Sequence, residues 1–353
     1  MPGSAVPSGG WEVSGIPGPD RDSTSVIATV RGPIDSSALG LTLMHEHLFV
    51  APLDGVAARP SKWGSDRENV ARAVALLQHA YERGVRTIVE MSVEGLGRRW
   101  PLVEEVARQV DINIVLATGV YFYRDIPIQY AFDGPQTPFG GDEYLDKFLL
   151  DDLREGCHGS AVRAQVLKCV VDQYGMTGDI MRATRAVAKV HRQTGACVMT
   201  HTDAASRSGL DQARALIELG VAPGRIVVGH CDDSGDIGYL RSLLGMGVTI
   251  GFDRFGFEAS RRDDDRVATL VELLREGHQE QIVLSQDYSA KNCLIPARVQ
   301  DEMCPDWGYT RVVDYVLPRL AAEGIAQDAL VDLTVSNPRR LLELGAPVAE
   351  ESV

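Results

Sequence analysis

The chain has 353 residues, is 44% hydrophobic, and sets 49 Asp and Glu against 35 Lys and Arg for a net charge of −14. That balance argues against a nucleic-acid binder, because phosphate contacts need clustered cations, and it favours neutral or cationic small molecules over polyanions. No stretch approaches the roughly 20 apolar residues of a membrane span.

Residues 1–25 are rich in Gly, Pro and Ser and lack the apolar run after a basic start that marks a secretory signal. They read as a flexible arm, and 347–353 as a C-terminal tail. Between them, over 26–346, short apolar runs alternate with amphipathic stretches of helical length. Eight strands are expected at 39–44, 86–91, 112–118, 163–169, 196–200, 225–229, 248–252 and 281–285. Helices are expected between them at 67–83, 101–109, 143–155, 179–194, 208–219, 237–246 and 264–276, several ending at a Gly suited to a left-handed cap. Strands alternating with helices imply βαβ units and a parallel sheet. Eight such units in about 260 residues fit a single α/β (β/α)8 TIM barrel. An open doubly wound sheet is the alternative, but no Gly-x-Gly-x-x-Gly turn follows an early strand. Residues 288–306 read as a long loop over the barrel mouth, of the kind that usually serves binding, followed by helices at 309–323, 326–333 and from 337. The six cysteines include no Cys-x-x-Cys pair, and Cys169, Cys197 and Cys231 sit in or beside apolar runs. They read as buried thiols of a reducing, cytoplasmic compartment.

The first strand runs into Leu43-Met44-His45-Glu46-His47. Side chains of a strand alternate faces, so His45 and His47 share one side and Glu46 takes the other. His201 follows the fifth strand directly, His230 the sixth and Asp287 the eighth, while Lys168 stands at the end of the fourth. In a barrel these ends converge on one rim, where active sites of this fold lie. A single histidine there is more often a core residue; four with an Asp and a Lys indicate a metal site. Six groups exceed the needs of one tetrahedral ion and point to two divalent metals, His45, His47 and Asp287 holding one and His201 with His230 the other. An ammonium at Lys168 would repel both ions. The residue fits if carbon dioxide has converted its amine to a carbamate that bridges them; otherwise it turns away to pair with a carboxylate. His79, His158, His191 and His278 read as surface residues. Zinc is the first choice of metal, with cobalt, manganese and iron compatible.

His45-x-His47, Lys168, Thr-His201-Thr, Gly-His230-Cys-Asp-Asp and Ser-Gln-Asp287 resemble, in order and spacing, the metal ligands of the phosphotriesterase family in the amidohydrolase superfamily, over about residues 33–346. The resemblance implies a barrel with two metals bridged by a carbamylated Lys168 and a hydroxide nucleophile, and a homodimer. Thr118-Gly-Val-Tyr-Phe-Tyr123 and Gly251-Phe-Asp-Arg-Phe-Gly256 are similar to segments of the phosphotriesterase-like lactonases. They imply catalytic roles for Tyr121 and Arg254 beside Asp287; ordinary rim packing and a surface ion pair are the alternatives. The function expected is hydrolysis of N-acyl homoserine lactones or other γ- or δ-lactones, with a side activity on phosphotriesters. A dedicated organophosphate triesterase, or an amidase or carboxylesterase, is the alternative, because the 288–306 segment departs from the lactonase pattern. A non-catalytic binding barrel would not need Asp287 and a bridging Lys together.

Overall fold

The computed structural model describes residues 25–347; residues 1–24 and 348–353, all of the expected arm but Ser25 and all of the expected tail but Pro347, lie outside the described residues. A short antiparallel pair, β1 (Val26–Ile27) with β2 (Ile34–Asp35), precedes the main sheet. That sheet is formed by β3 (Thr42–Val50), β4 (Thr87–Glu90), β5 (Asn113–Gly119), β6 (Val166–Val171), β7 (Cys197–Thr202), β8 (Ile226–Val228), β9 (Thr249–Phe252), β10 (Ile282–Leu284) and β11 (Ser289–Asn292). Every pairing is parallel, in the order β10-β9-β8-β7-β6-β5-β4-β3-β11. The helices are α1 (Leu53–Ala58), α2 (Pro60–Trp63), α3 (Asp66–Glu82), α4 (Trp100–Ala107), α5 (Tyr144–Arg154), α6 (Gly178–Thr194), α7 (Ser208–Glu218), α8 (Ile237–Gly245), α9 (Asp263–Arg275), α10 (Leu317–Ala322), α11 (Gln327–Val331) and α12 (Asn337–Leu342).

The nine segments make eight staves, because β10 and β11 are two pieces of one. The chain breaks between them at Asp287, whose φ of 51° lies in the left-handed region. Its N–H then donates to His45 O at 3.0 Å, and Tyr288 O accepts from His47 N at 2.8 Å. With Ser289 registered on His47, the last stave joins the first and the (β/α)8 TIM barrel closes.

Strands buried on both faces read as continuous apolar runs, and alternate residues divide them between two cores. Met44, Val89, Val115, Val166, Met199, Val227 and Val283 fill the barrel interior. Leu43, Ile88, Ile114, Leu167, Val198, Ile250 and Ile282 pack outward into the layer that meets the helices. Capping sets the helix ends: Ser65 accepts from Glu68 N, Thr177 from Ile180 N and Asp236 from Tyr239 N. Gly195 closes α6 at φ 67°, as a C-cap glycine should.

Four expectations need correction. The first strand extends through Val50, because β11 continues to pair with it beyond the apolar run. Segment 288–306 is not a simple loop: it contains β11 and a π-helical turn at Val299–Met303. The expected helix at 309–323 is a π-helical turn, Val312–Val316, running into α10, and the same happens at Asp332–Ser336 before α12. In both cases a proline, Pro318 or Pro338, follows by two residues and supplies no N–H to the preceding turn, a recognised cause of local rewinding. His191 is no surface residue but 2% exposed. It occupies the inner face of α6, where Nδ1 lies 2.7 Å from Ala196 O and Nε2 accepts from Ala222 N at 3.4 Å.

Candidate metal centre and active site

β3 lies between β4 and β11 and is buried along its whole length. Its pleat sends His45 and His47 into the barrel mouth and Glu46 the other way, as the alternation requires. Glu46 there accepts from Ser285 Oγ at 2.7 Å, Gln286 N at 2.9 Å and Tyr288 N at 3.0 Å. It thereby holds the segment that carries Asp287. Burial pushes its carboxyl well above the usual range, against those hydrogen bonds.

Around the mouth the expected residues converge. Asp287 Oδ1 lies 3.1 Å from His47 Nε2 and 3.7 Å from His45 Nε2. His45 Nε2 is 3.2 Å from Lys168 Nζ. His230 Nε2 is 2.9 Å from His201 Nδ1. Two of these positions, His230 (φ 59°) and Asp287 (φ 51°), are non-glycine residues in the left-handed region, a strained conformation that tends to persist at functional sites.

The outer ring nitrogens are anchored in turn. One carboxylate, Asp253, reaches His45 Nδ1 through Oδ2 and His230 Nδ1 through Oδ1, both at 2.9 Å. His47 Nδ1 meets Ser92 Oγ at 2.9 Å, and His201 Nε2 meets Asp172 Oδ2 at 3.0 Å. An imidazole whose outer N–H is held by an acceptor presents its other nitrogen as a lone pair, the usual support of a metal-bound histidine. His45, His47 and Asp287 offer donor atoms within 4.8 Å of one another. The donor set fits a metal centre on its chemistry. Burial favours the neutral, ligating form of two imidazoles, drawing His45 down to about 4 and His201 to about 3.

Lys168 does not turn away. It is 1% exposed, and its neighbours are His45 Nε2 and, at 3.4 Å, Met91 O. Among the described residues it makes no ion pair with a carboxylate. Burial lowers its amine to about 8.

Tyr121 stands with its ring 5.2 Å from that of His201, and its hydroxyl 3.3 Å from Tyr123 OH. Burial raises this phenol above its ordinary value and keeps it protonated. Arg254 donates from Nε to Asp287 Oδ2 at 3.2 Å and from Nη1 to Asp233 Oδ2 at 2.6 Å. Tyr121, Arg254, Lys168, His201 and Asp287 all line one cavity of about 160 Å³.

Sequence reasoning passed over Asp253, Asp232, Asp233 and Arg266. Arg266 is fully buried, with Nε 3.0 Å from Asp232 Oδ2 and Nη2 2.7 Å from Asp233 Oδ1. Asp232 accepts from the backbone N–H of Asp253 at 3.3 Å and of Arg254 at 3.0 Å, so Arg266 supports both residues from beneath. The signal available for Asp253 was its place at the end of the seventh strand, one of three strand ends, with the second and third, assigned no metal donor. For Arg266, in the middle of a helix, there was none.

Known proteins resemble this chain in sequence and fold. The family model described as the phosphotriesterase family matches residues 25–342. A phosphotriesterase homology protein of Mycobacterium tuberculosis is 39% identical over 315 residues, covering 89% of this chain and 97% of that protein. An aryldialkylphosphatase of Saccharolobus solfataricus is 32% identical over 312 residues, covering 87% and 96%. An N-acetyltaurine hydrolase of Dictyostelium discoideum is 24% identical, covering 90% and 98%. The solved structure of the phosphotriesterase from Mycobacterium tuberculosis superposes with a TM-score of 0.88 at 39% identity, covering 90% of this chain and 98% of that one. The chain is a hydrolase that belongs to the phosphotriesterase family.

Proposed function

We propose that this hydrolase opens lactones, N-acyl homoserine lactones or other γ- or δ-lactones, with a side activity on phosphotriesters. His45, His47 and Asp287 would hold one divalent metal ion and His201 with His230 a second, Lys168 bridging them as its carbamate; zinc is the first choice, with cobalt, manganese or iron as alternatives. Such ions supply a deprotonated water at neutral pH and polarise the substrate oxygen.

The residues of the chain do the rest. Asp287 accepts the proton that remains on the attacking hydroxide and passes it to the ring oxygen that leaves as the C–O bond breaks. Its negative charge persists despite burial, because His45, His47, His230 and Arg254 hold its carboxyl well below the usual range. Tyr121, kept protonated, donates its hydroxyl hydrogen to the carbonyl oxygen as that atom gains charge. Arg254 fixes the rotamer of Asp287 and closes one wall of the pocket.

The observation that carries the lactone reading is the size of the cavity. At about 160 Å³ it falls below the roughly 300–1,000 Å³ of ordinary small-molecule sites, which suits a compact ring better than a dialkyl aryl phosphate. A lactone also keeps its leaving alkoxide tethered beside Asp287.

The test is a comparison of kcat/KM on one metal-loaded preparation for an N-acyl homoserine lactone, a γ- or δ-lactone, paraoxon and an N-acyl amide. Lactone values near ~10⁴ M⁻¹s⁻¹ or above, in the ordinary enzyme range, with paraoxon and the amide far behind, are expected. Paraoxon in the lead would make it a triesterase, and the amide in the lead an amidase, the reading favoured by its N-acetyltaurine hydrolase relative.

A homodimer is part of the same proposal. Ile128, Phe132, Phe139 and Tyr144 are 71%, 49%, 82% and 52% exposed, close together in sequence. Apolar side chains grouped on a surface mark an interaction face, here for a second copy of the chain. Among the described residues no helix is long and apolar enough to cross a membrane, and the six cysteines are free thiols, in keeping with a cytoplasmic setting. Sedimentation at micromolar concentration should give twice the monomer mass, and a monomer would remove this part of the reading.

A further inference from the structure

Beside β11 lies a second cavity, of about 490 Å³, that the chemistry above leaves unused. Its wall includes Lys62, Arg72 and Lys291. In a chain of net charge −14 this is a local reversal of sign. Among the described residues none of the three makes an ion pair with a carboxylate, and Asp301 is the one acid in the lining. Arg72 is held instead by neutral acceptors, with Nε donating to Ala290 O at 2.8 Å and Nη2 to Tyr288 OH at 3.2 Å. Its guanidinium is thereby set against β11 with its charge uncompensated. Lys291 projects from β11 itself, and the Cys293 thiol donates to Lys62 O at 3.7 Å, tying α2 to the same segment.

The cavity also adjoins the catalytic one. Asn292, Leu294 and Ile295 line both, so a ligand reacting at Asp287 and extending past these side chains would bring its far end among the three cations. Net charge speaks for neutral or cationic ligands, but recognition is decided by charges within a Debye length, about 8 Å at physiological salt. Like charges gathered on one wall repel, and an anion between them offsets that repulsion.

We propose that this cavity is an anion subsite, and that the natural substrate carries a carboxylate or other oxyanion at the end remote from the bond that is cleaved. The inference rests on the hydrolase reading for the identity of the ligand as a substrate. The segment from Ser289 to Ile295 would then choose substrates by charge as well as by shape.

A matched pair tests it: the mono-4-nitrophenyl ester of adipic acid against 4-nitrophenyl hexanoate, on metal-loaded enzyme. The anionic ester should be favoured in kcat/KM by roughly tenfold, through KM, as a few partly exposed ion pairs allow. That preference should shrink between about 50 and 500 mM NaCl as screening tightens. Lys62→Gln with Lys291→Gln should bring the ratio close to one, the loss falling on the anionic ester. Equal turnover of the two esters by the unaltered protein, or a preference that survives the double substitution, overturns the subsite and leaves the hydrolase reading standing. Failure to turn over either ester counts against the hydrolase reading on esters, and calorimetric titration with adipate then decides the subsite. Binding that the double variant loses supports it; no binding, or binding unchanged in the variant, overturns it.

Discussion

Arg254 donates its Nε hydrogen to Asp287 Oδ2 at 3.2 Å, which leaves Oδ1 of the same carboxylate facing His47 Nε2 at 3.1 Å. One oxygen is thus fixed by a cation of the chain, and the other is directed at the centre of the site. A carboxylate in this position can hold a charge at the mouth of the barrel and receive a proton from a neighbouring water. Replacing Asp287 with Asn should lower turnover by roughly 10²–10⁴-fold. Turnover near normal, with metal content unchanged, would remove Asp287 from proton transfer.

Arg254→Lys keeps the charge but loses the planar fork that serves Asp287 and Asp233 together. Turnover should drop by about 10-fold or more, as expected when a reacting group is left mispositioned. Unaltered kinetics would show that the guanidinium only lines the wall.

Lys168 gives the site a pH dependence in assembly. Only the neutral amine adds carbon dioxide. With its amine drawn down to about 8 by burial, roughly a tenth is neutral at pH 7 and about nine tenths at pH 9. Metal-stripped protein should therefore regain activity faster as pH rises through that range, and added bicarbonate should accelerate recovery. Reconstitution indifferent to bicarbonate at both pH values would argue against a carbamate. Lys168→Ala should bind less metal and regain some of it with a small carboxylic acid supplied in solution.

Asp253 anchors two rings with one carboxylate, so Asp253→Asn forces an amide N–H against at least one ring N–H or changes its tautomer. Metal affinity should fall by roughly 10–100-fold, the usual effect of losing such an outer partner. Competition with a chelator, followed by metal analysis, reads this directly. A variant that retains its metal as firmly as the parent would show that the strand ends alone position His45 and His230.

Arg266 is an energetic matter. It is fully buried between Asp232 and Asp233, with Asp263 Oδ1 3.4 Å from Nη1. Arg266→Met would leave Asp232 without its cation, while Asp233 keeps Arg254 and Asp263 keeps Arg311; breaking a buried pair from one side costs about 3–5 kcal/mol. Denaturant unfolding should show a loss of that order. A change below about 1 kcal/mol, as at an exposed pair, would mean that Asp232 finds another partner or takes up a proton.

The architecture and most of the strand-end residues are legible in the order of the residues alone. Alternating apolar runs and capped amphipathic stretches specify a barrel because each strand must bury both faces. Strand ends must then meet on one rim, which makes His45, His47, His201, His230 and Asp287 neighbours without knowledge of any loop. Tertiary structure decided what depends on partners distant in the chain. Asp253 lies 208 residues from His45 and 23 from His230, and nothing local shows that its two oxygens divide between them. The closing stave is split at Asp287, with β10 paired to β9 and β11 to β3, a change of partner that no local pattern shows. His191 was read as surface because a helix hides its inward residues until its packing face is known. The cations at Lys62, Arg72 and Lys291 are scattered through an acidic chain, and only folding gathers them onto one wall.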